Sequence, residues 1–100
     1  MGSEEHERIA KAIARKEGTQ YKPETRGPDI VTPRRVIEVG IDPLALAQEA
    51  RQVQRSSKVR YLAGPPDFVQ QAIKQLQGTG IGVMDGRGHI VRRGTRGRRR

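Results

Sequence analysis

Short runs of β-branched residues alternate with stretches of helical period along this chain. That alternation limits the fold more than any other feature. Residues 42–56 carry one helical pattern, with Leu44, Ala47, Arg51 and Leu46, Ala50, Val53 giving the period, Asp42 as N-cap and Pro43 at the first helical position. Phe68, Val69, Ala72, Ile73 and Leu76 form the apolar face of another helix, opened by Gly64-Pro65-Pro66 and ended by Gly78 and Gly80. Around these lie five candidate strands: Asp29–Thr32, Arg35–Val39, Lys58–Ala63, Ile81–Met84 and His89–Arg92. Thr32-Pro33-Arg34 joins the first two as a hairpin, and Asp85-Gly86-Arg87-Gly88 joins the last two. Residues 3–17 predict a first helix, with Ser3 as N-cap, acids in its opening turns and Gly18 as its stop. Residues 19–27 are polar and irregular, with Tyr21 as their only large anchor and room for a short edge strand. This order implies an α/β protein, a mixed sheet covered by helices. In the second strand Val36 and Glu38 face one side, Ile37 and Val39 the other.

The core of such a sheet must be small. One hundred residues allow a single domain, and only Tyr21, Tyr61 and Phe68 are aromatic. A large enclosed cofactor cavity is therefore excluded. No apolar run approaches the roughly 18 residues of a membrane span. Met1-Gly2-Ser3 is followed by acids, with no apolar h-region of a secretory signal. The absence of cysteine excludes disulfides, thiolate metal sites and cysteine nucleophiles, and agrees with a cytoplasmic protein.

Charge points to the partner. The net charge is +9, and Arg87, Arg92, Arg93, Arg96, Arg98, Arg99 and Arg100 supply seven of it within an acid-free C-terminal stretch, leaving +2 on residues 1–85. The reading is one domain over residues 1–93 and a disordered arginine-rich tail over 94–100. A polycation suits nucleic acid, because each phosphate it neutralises releases condensed counterions. A membrane surface suits it less, because nothing from Gly94 onward is apolar enough to insert.

Asp29 and Glu38 lie on neighbouring strands of the proposed hairpin, where their carboxylates can meet at one end of the sheet. Paired carboxylates beside a phosphate-attracting surface suit Mg²⁺, a hard cation that takes oxygen ligands and bridges to substrate phosphate. The plain alternative is a pair of solvated strand acids. Arg26-Gly27-Pro28-Asp29-Ile30-Val31 followed by Val36-Ile37-Glu38-Val39 resembles the signature of the PD-(D/E)xK superfamily, the restriction-endonuclease-like and Holliday-junction-resolvase-like nucleases. Glu7, Ile9-Ala10, Ile13-Ala14 and Gly18 resemble the family's first helix, and Arg60–Ala63 and Gly80–Val83 its later strands, so the likeness spans about residues 4–92. It implies a restriction-endonuclease-like core, with Asp29 and Glu38 as catalytic and metal carboxylates and Glu7 as a third metal ligand, Glu4 and Glu5 competing for that place. The family's lysine two residues after the second acid is Gly40 here. That lysine is taken to orient the attacking water, which glycine cannot do. Arg35, Arg51 and Lys58 are the candidate replacements.

The resulting expectation is a nucleic-acid-binding protein, DNA ahead of RNA, that is weakly catalytic or inactive because of Gly40. Its nucleic-acid contacts are expected from Arg26, Arg35, Arg51, Lys58, Arg87, Arg92, Arg93, Arg96 and Arg98. Two alternatives stand beside it. One is an active Mg²⁺-dependent endonuclease with a displaced cation. The other is an assembly protein docking through its arginine tail. The low apolar content and the resemblance both point to a homodimer. Gln48 and Gln52 read as the solvated side of the second helix, Asp67 as a first-turn acid favoured by the helix dipole, and His6 and His89 as surface residues.

Overall fold

The computed structural model describes residues 4–23 and 27–97. Ser3 as a cap, Arg26 and Arg98 as contacts, and residues 24–26 of the stretch with room for an edge strand lie outside these. Residues 19–23 form no strand.

Helix α1 (Glu4–Lys16) opens on Glu4, Glu5 and Glu7, closes on Arg15 and Lys16, and stops at Gly18, whose φ of 76° suits a residue without a Cβ. Strands β1 (Ile30–Val31) and β2 (Arg35–Val39) form the antiparallel hairpin expected around Pro33. The Thr32 hydroxyl caps that turn, accepting from the backbone N–H of Arg35 at 2.9 Å. The second helical stretch begins more tightly than its periodicity predicts. Pro43–Ala45 is a 3-10 turn, with the Asp42 carboxylate accepting from Leu44 N–H at 3.0 Å, and α2 (Leu46–Gln54) follows. Strand β3 (Val59–Ala63), helix α3 (Pro66–Gln75), strand β4 (Gly82–Met84) and strand β5 (Ile90–Arg92) complete the described chain.

The five strands lie in sequence order. β2, β3 and β4 run parallel, joined by crossovers through α2 and α3, while β1 and β5 pair antiparallel at the edges. The expected mixed α/β sheet is therefore present, with helices on both faces. On one face Ile37, Val39, Tyr61, Ala63 and Met84 pack against Ile9, Ala10, Ile13 and Ala14 of α1. On the other, Val36, Leu62 and Val83 pack against Leu46 and Val53 of α2 and Phe68, Ala72 and Leu76 of α3. Strand periodicity makes this division, since alternate residues of β2 and β3 fill opposite cores. Among the described residues no helix is long and apolar enough to cross a membrane.

Residues 94–97, assigned from sequence to the tail, lie against the sheet. Thr95 N–H donates to Gly80 O at 2.7 Å, Arg60 N–H to Thr95 O at 3.4 Å, and Gly97 N–H to Lys58 O at 3.2 Å. Arg96 forms an isolated antiparallel bridge with Val59. Glycine makes this approach feasible: a Cβ on Gly94 would strike the carbonyl of Arg60, and one on Gly97 the carbonyl of Ser56.

Candidate functional site: a carboxyl cluster at the end of the sheet

Asp29 immediately precedes β1, and Glu38 is the fourth residue of β2. The hairpin brings them together. Asp29 N–H donates to Glu38 Oε1 at 3.0 Å, and Val39 N–H donates to Asp29 Oδ2 at 2.9 Å. Each acid is thus fixed by the backbone of the strand carrying the other. Glu38 is 7% exposed, on the face that meets α2.

α2 adds a third carboxyl that was not picked out from the sequence. Glu49 and Glu38 hydrogen-bond through their side chains. The signal was available in the pattern. Glu49 lies three residues after Leu46 and four before Val53, on the stripe that packs against the sheet, where an acid needs a partner. Burial pushes the Glu38 carboxyl up to about 10, with the Asp29 charge and the Glu49 carboxyl adding to the rise. Burial also raises Glu49, while its bond to Glu38 and the charge of His6 pull the other way. Two carboxylates this close cannot both ionise cheaply, so Glu38 holds the proton and donates it to Glu49.

His6, read from sequence as a surface residue, joins the cluster. Its ring is only 18% exposed, and its Nε2 lies 3.2 Å from Asp29 Oδ2. It also meets Tyr21 edge to face, with ring centroids 6.0 Å apart. The bond to Asp29 raises the His6 pKa above 6.5, against the opposing effect of burial. The stabilisation from this pair is complete below pH 6.5 and is lost as pH rises through the raised value. Following the His6 ring by NMR should therefore show titration above 6.5, moving down in Asp29→Asn. A His6 that titrates identically in both proteins would rule this pairing out.

The remaining predicted residues are elsewhere. Glu7 is exposed and pairs with Lys11 at 3.2 Å, so α1 reaches the cluster through His6 instead. Arg35 pairs with Glu17 at 2.9 Å and lies over the Tyr61 ring at 5.4 Å, three residues and about 10 Å along the strand from Glu38. At that same end, Lys58 Nζ donates to Thr32 O at 2.8 Å. Arg51 is two residues beyond Glu49 but turned roughly 200° around the helix, and it lines a different surface. None of these three cations lies beside Asp29 and Glu38. Arg87 and Arg93 are exposed, while Arg92 is half-buried and donates to Ile73 O at 2.8 Å. His89 is exposed beside Asp85, and Gln48 and Gln52 are exposed on α2, as expected.

Gly40 has a physical explanation. Its φ is not positive, so backbone conformation does not demand glycine. Space does: a Cβ there would fall on the edge of the fully buried Phe68 ring. Gly64 is fenced in by the same ring and by Gly40 O. The aromatic ring takes the room that a lysine stem would need.

In the carboxyl cluster, Asp29 Oδ2 accepts from Val39 N–H and meets His6, and Glu38 Oε1 accepts from Asp29 N–H. Among the described residues, no three Asp, Glu, His or Cys side chains are placed to hold one ion together. A scan of protein-family models and searches of curated proteins and solved structures found no match to this chain.

Proposed function

We propose that this protein binds nucleic acid, DNA ahead of RNA, on a PD-(D/E)xK nuclease-like core whose carboxyl cluster hydrolyses phosphodiesters weakly or not at all. The observation that carries this reading is the Phe68 ring against Gly40, which takes the room a lysine at that position would need. The order helix, hairpin, helix, parallel strand, with both acids on the hairpin, supports the nuclease-like part. The net charge of +9 supports the polyanion partner.

A second reading, a Mg²⁺-dependent endonuclease, is favoured by the run of three linked carboxyls, Asp29, Glu38 and Glu49. Calorimetric titration with Mg²⁺ and Mn²⁺, with Asp29→Ala as control, separates the two. The first reading expects little or no heat from metal and no cleavage of linear or branched DNA. Metal binding and cleavage, both lost in the control, would establish the second reading instead.

A further inference from the structure

A second feature lies away from the carboxyl cluster. α2, the turn after α3 and the segment 94–97 enclose a groove of about 1070 Å³. Its lining includes Arg51, Arg55, Arg60 and Arg96 and, among the described residues, no acid.

Arg60 forms its floor and is 7% exposed. Its Nη1 donates to Gln54 O at 3.2 Å, its Nη2 to Thr79 O at 3.2 Å, and its Nε to Thr95 O at 3.3 Å. These carbonyls belong to the end of α2, the turn after α3 and the 94–97 segment, so one guanidinium ties the three walls together. Buried charges are ordinarily paired with an opposite charge. Arg60 makes no ion pair among the described residues, and carbonyl dipoles orient its charge without cancelling it. Arg51, Arg55 and Arg96 are exposed around it and also form no ion pair there. A concave surface with one sign of charge and a low-dielectric floor concentrates anions.

The groove also limits the kind of anion. No aromatic side chain lines it, so it offers no platform for stacking bases. Several arginines spread along a groove suit a ligand with repeated charges, and guanidinium forks match phosphate oxygens. We infer that this groove seats the phosphodiester backbone of nucleic acid, with Arg51, Arg55 and Arg96 as contacts and Arg60 as the fixed charge beneath them. This inference rests on the nucleic-acid reading and gives that reading its binding surface. It also explains Gly94 and Gly97, whose close approach to the sheet sets Arg96 on the groove wall.

The test compares two double charge reversals in the full chain, Arg51→Glu with Arg55→Glu and Arg15→Glu with Lys74→Glu, the second pair lying outside the groove. They change net charge equally, and all four residues are exposed. A labelled DNA duplex is titrated at several salt concentrations, and circular dichroism checks the fold. The groove pair should weaken binding more than about tenfold and reduce the log–log salt slope by about 2, one for each lost phosphate contact. The other pair should lose less than about threefold. If the reversals unfold the chain, Arg51→Gln with Arg55→Gln provides the same comparison. Equal losses, or a larger loss in the Arg15 and Lys74 pair, would overturn the groove assignment and leave the nucleic-acid reading standing. An unaltered protein that binds no duplex at low salt would overturn both.

Discussion

Gly40→Lys should destabilise the protein by about 2–3 kcal/mol and create no nuclease, although it restores the residue type that the resemblance calls for. The new Cβ meets the Phe68 ring, which is fully buried and is confined on its other side by Gly64. Overpacking at such a point forces the ring off its rotamer or moves the backbone. For a domain of this size the loss corresponds to a fall in Tm of roughly 10–20 °C. Gly40→Ala should fall in the same direction, because the clash begins at the Cβ. Adding Phe68→Ala to Gly40→Lys should cost less than the two single changes summed, since the residues share one space. Thermal and chemical denaturation measure all of these. A Gly40→Lys protein as stable as its parent would show that Phe68 does not hold the space, and the observation behind the proposed weak or absent catalysis would be gone.

Glu38→Gln should stabilise the protein at about pH 8 and flatten the dependence of its stability on pH. Glu38 is raised in the folded state, first by burial and then by the charge of Asp29. Between its ordinary value of 4.5 and the folded value of about 10, the native chain holds a proton that the unfolded chain releases. Stability therefore falls as pH rises through that window, at no more than about 1.4 kcal/mol per pH unit for one proton. The amide introduced by Glu38→Gln can accept from Asp29 N–H and donate to Glu49, as the protonated acid does, without ever needing to ionise. Urea unfolding at a series of pH values from about 5 to about 9 checks this. The variant should show the shallower slope and the higher stability at the alkaline end. An unchanged slope would mean that Glu38 is ionised at neutral pH, and the shared proton would be wrong.

Most of the secondary structure was legible because local chemistry governs it. Pro33 between β-branched runs specified the hairpin, Gly18 ended α1, and Pro66 opened α3. The acids of that hairpin, Asp29 and Glu38, could be placed side by side for the same reason. What escaped depends on contacts between distant segments. Glu49 joins Glu38 only once α2 crosses over the sheet, although its place on an apolar stripe was visible. His6 looked like one more polar residue on an acidic helix, and only the packing of α1 brings it to Asp29. Gly40 read as a missing lysine, whereas the structure fills its place with Phe68, 28 positions further on. Residues 94–97 resembled tail because they hold no apolar side chain; backbone pairing and glycine's small size secure them.

The most direct test of the proposal that this chain binds nucleic acid on a weakly catalytic or inactive nuclease-like core is duplex binding by the unaltered chain over a range of salt. Mn²⁺ is present throughout, and the DNA is recovered afterwards. The association constant should fall steeply between low and moderate salt, with the DNA left essentially intact. Binding that hardly changes with salt, or rapid cleavage abolished by Asp29→Ala, would contradict this reading.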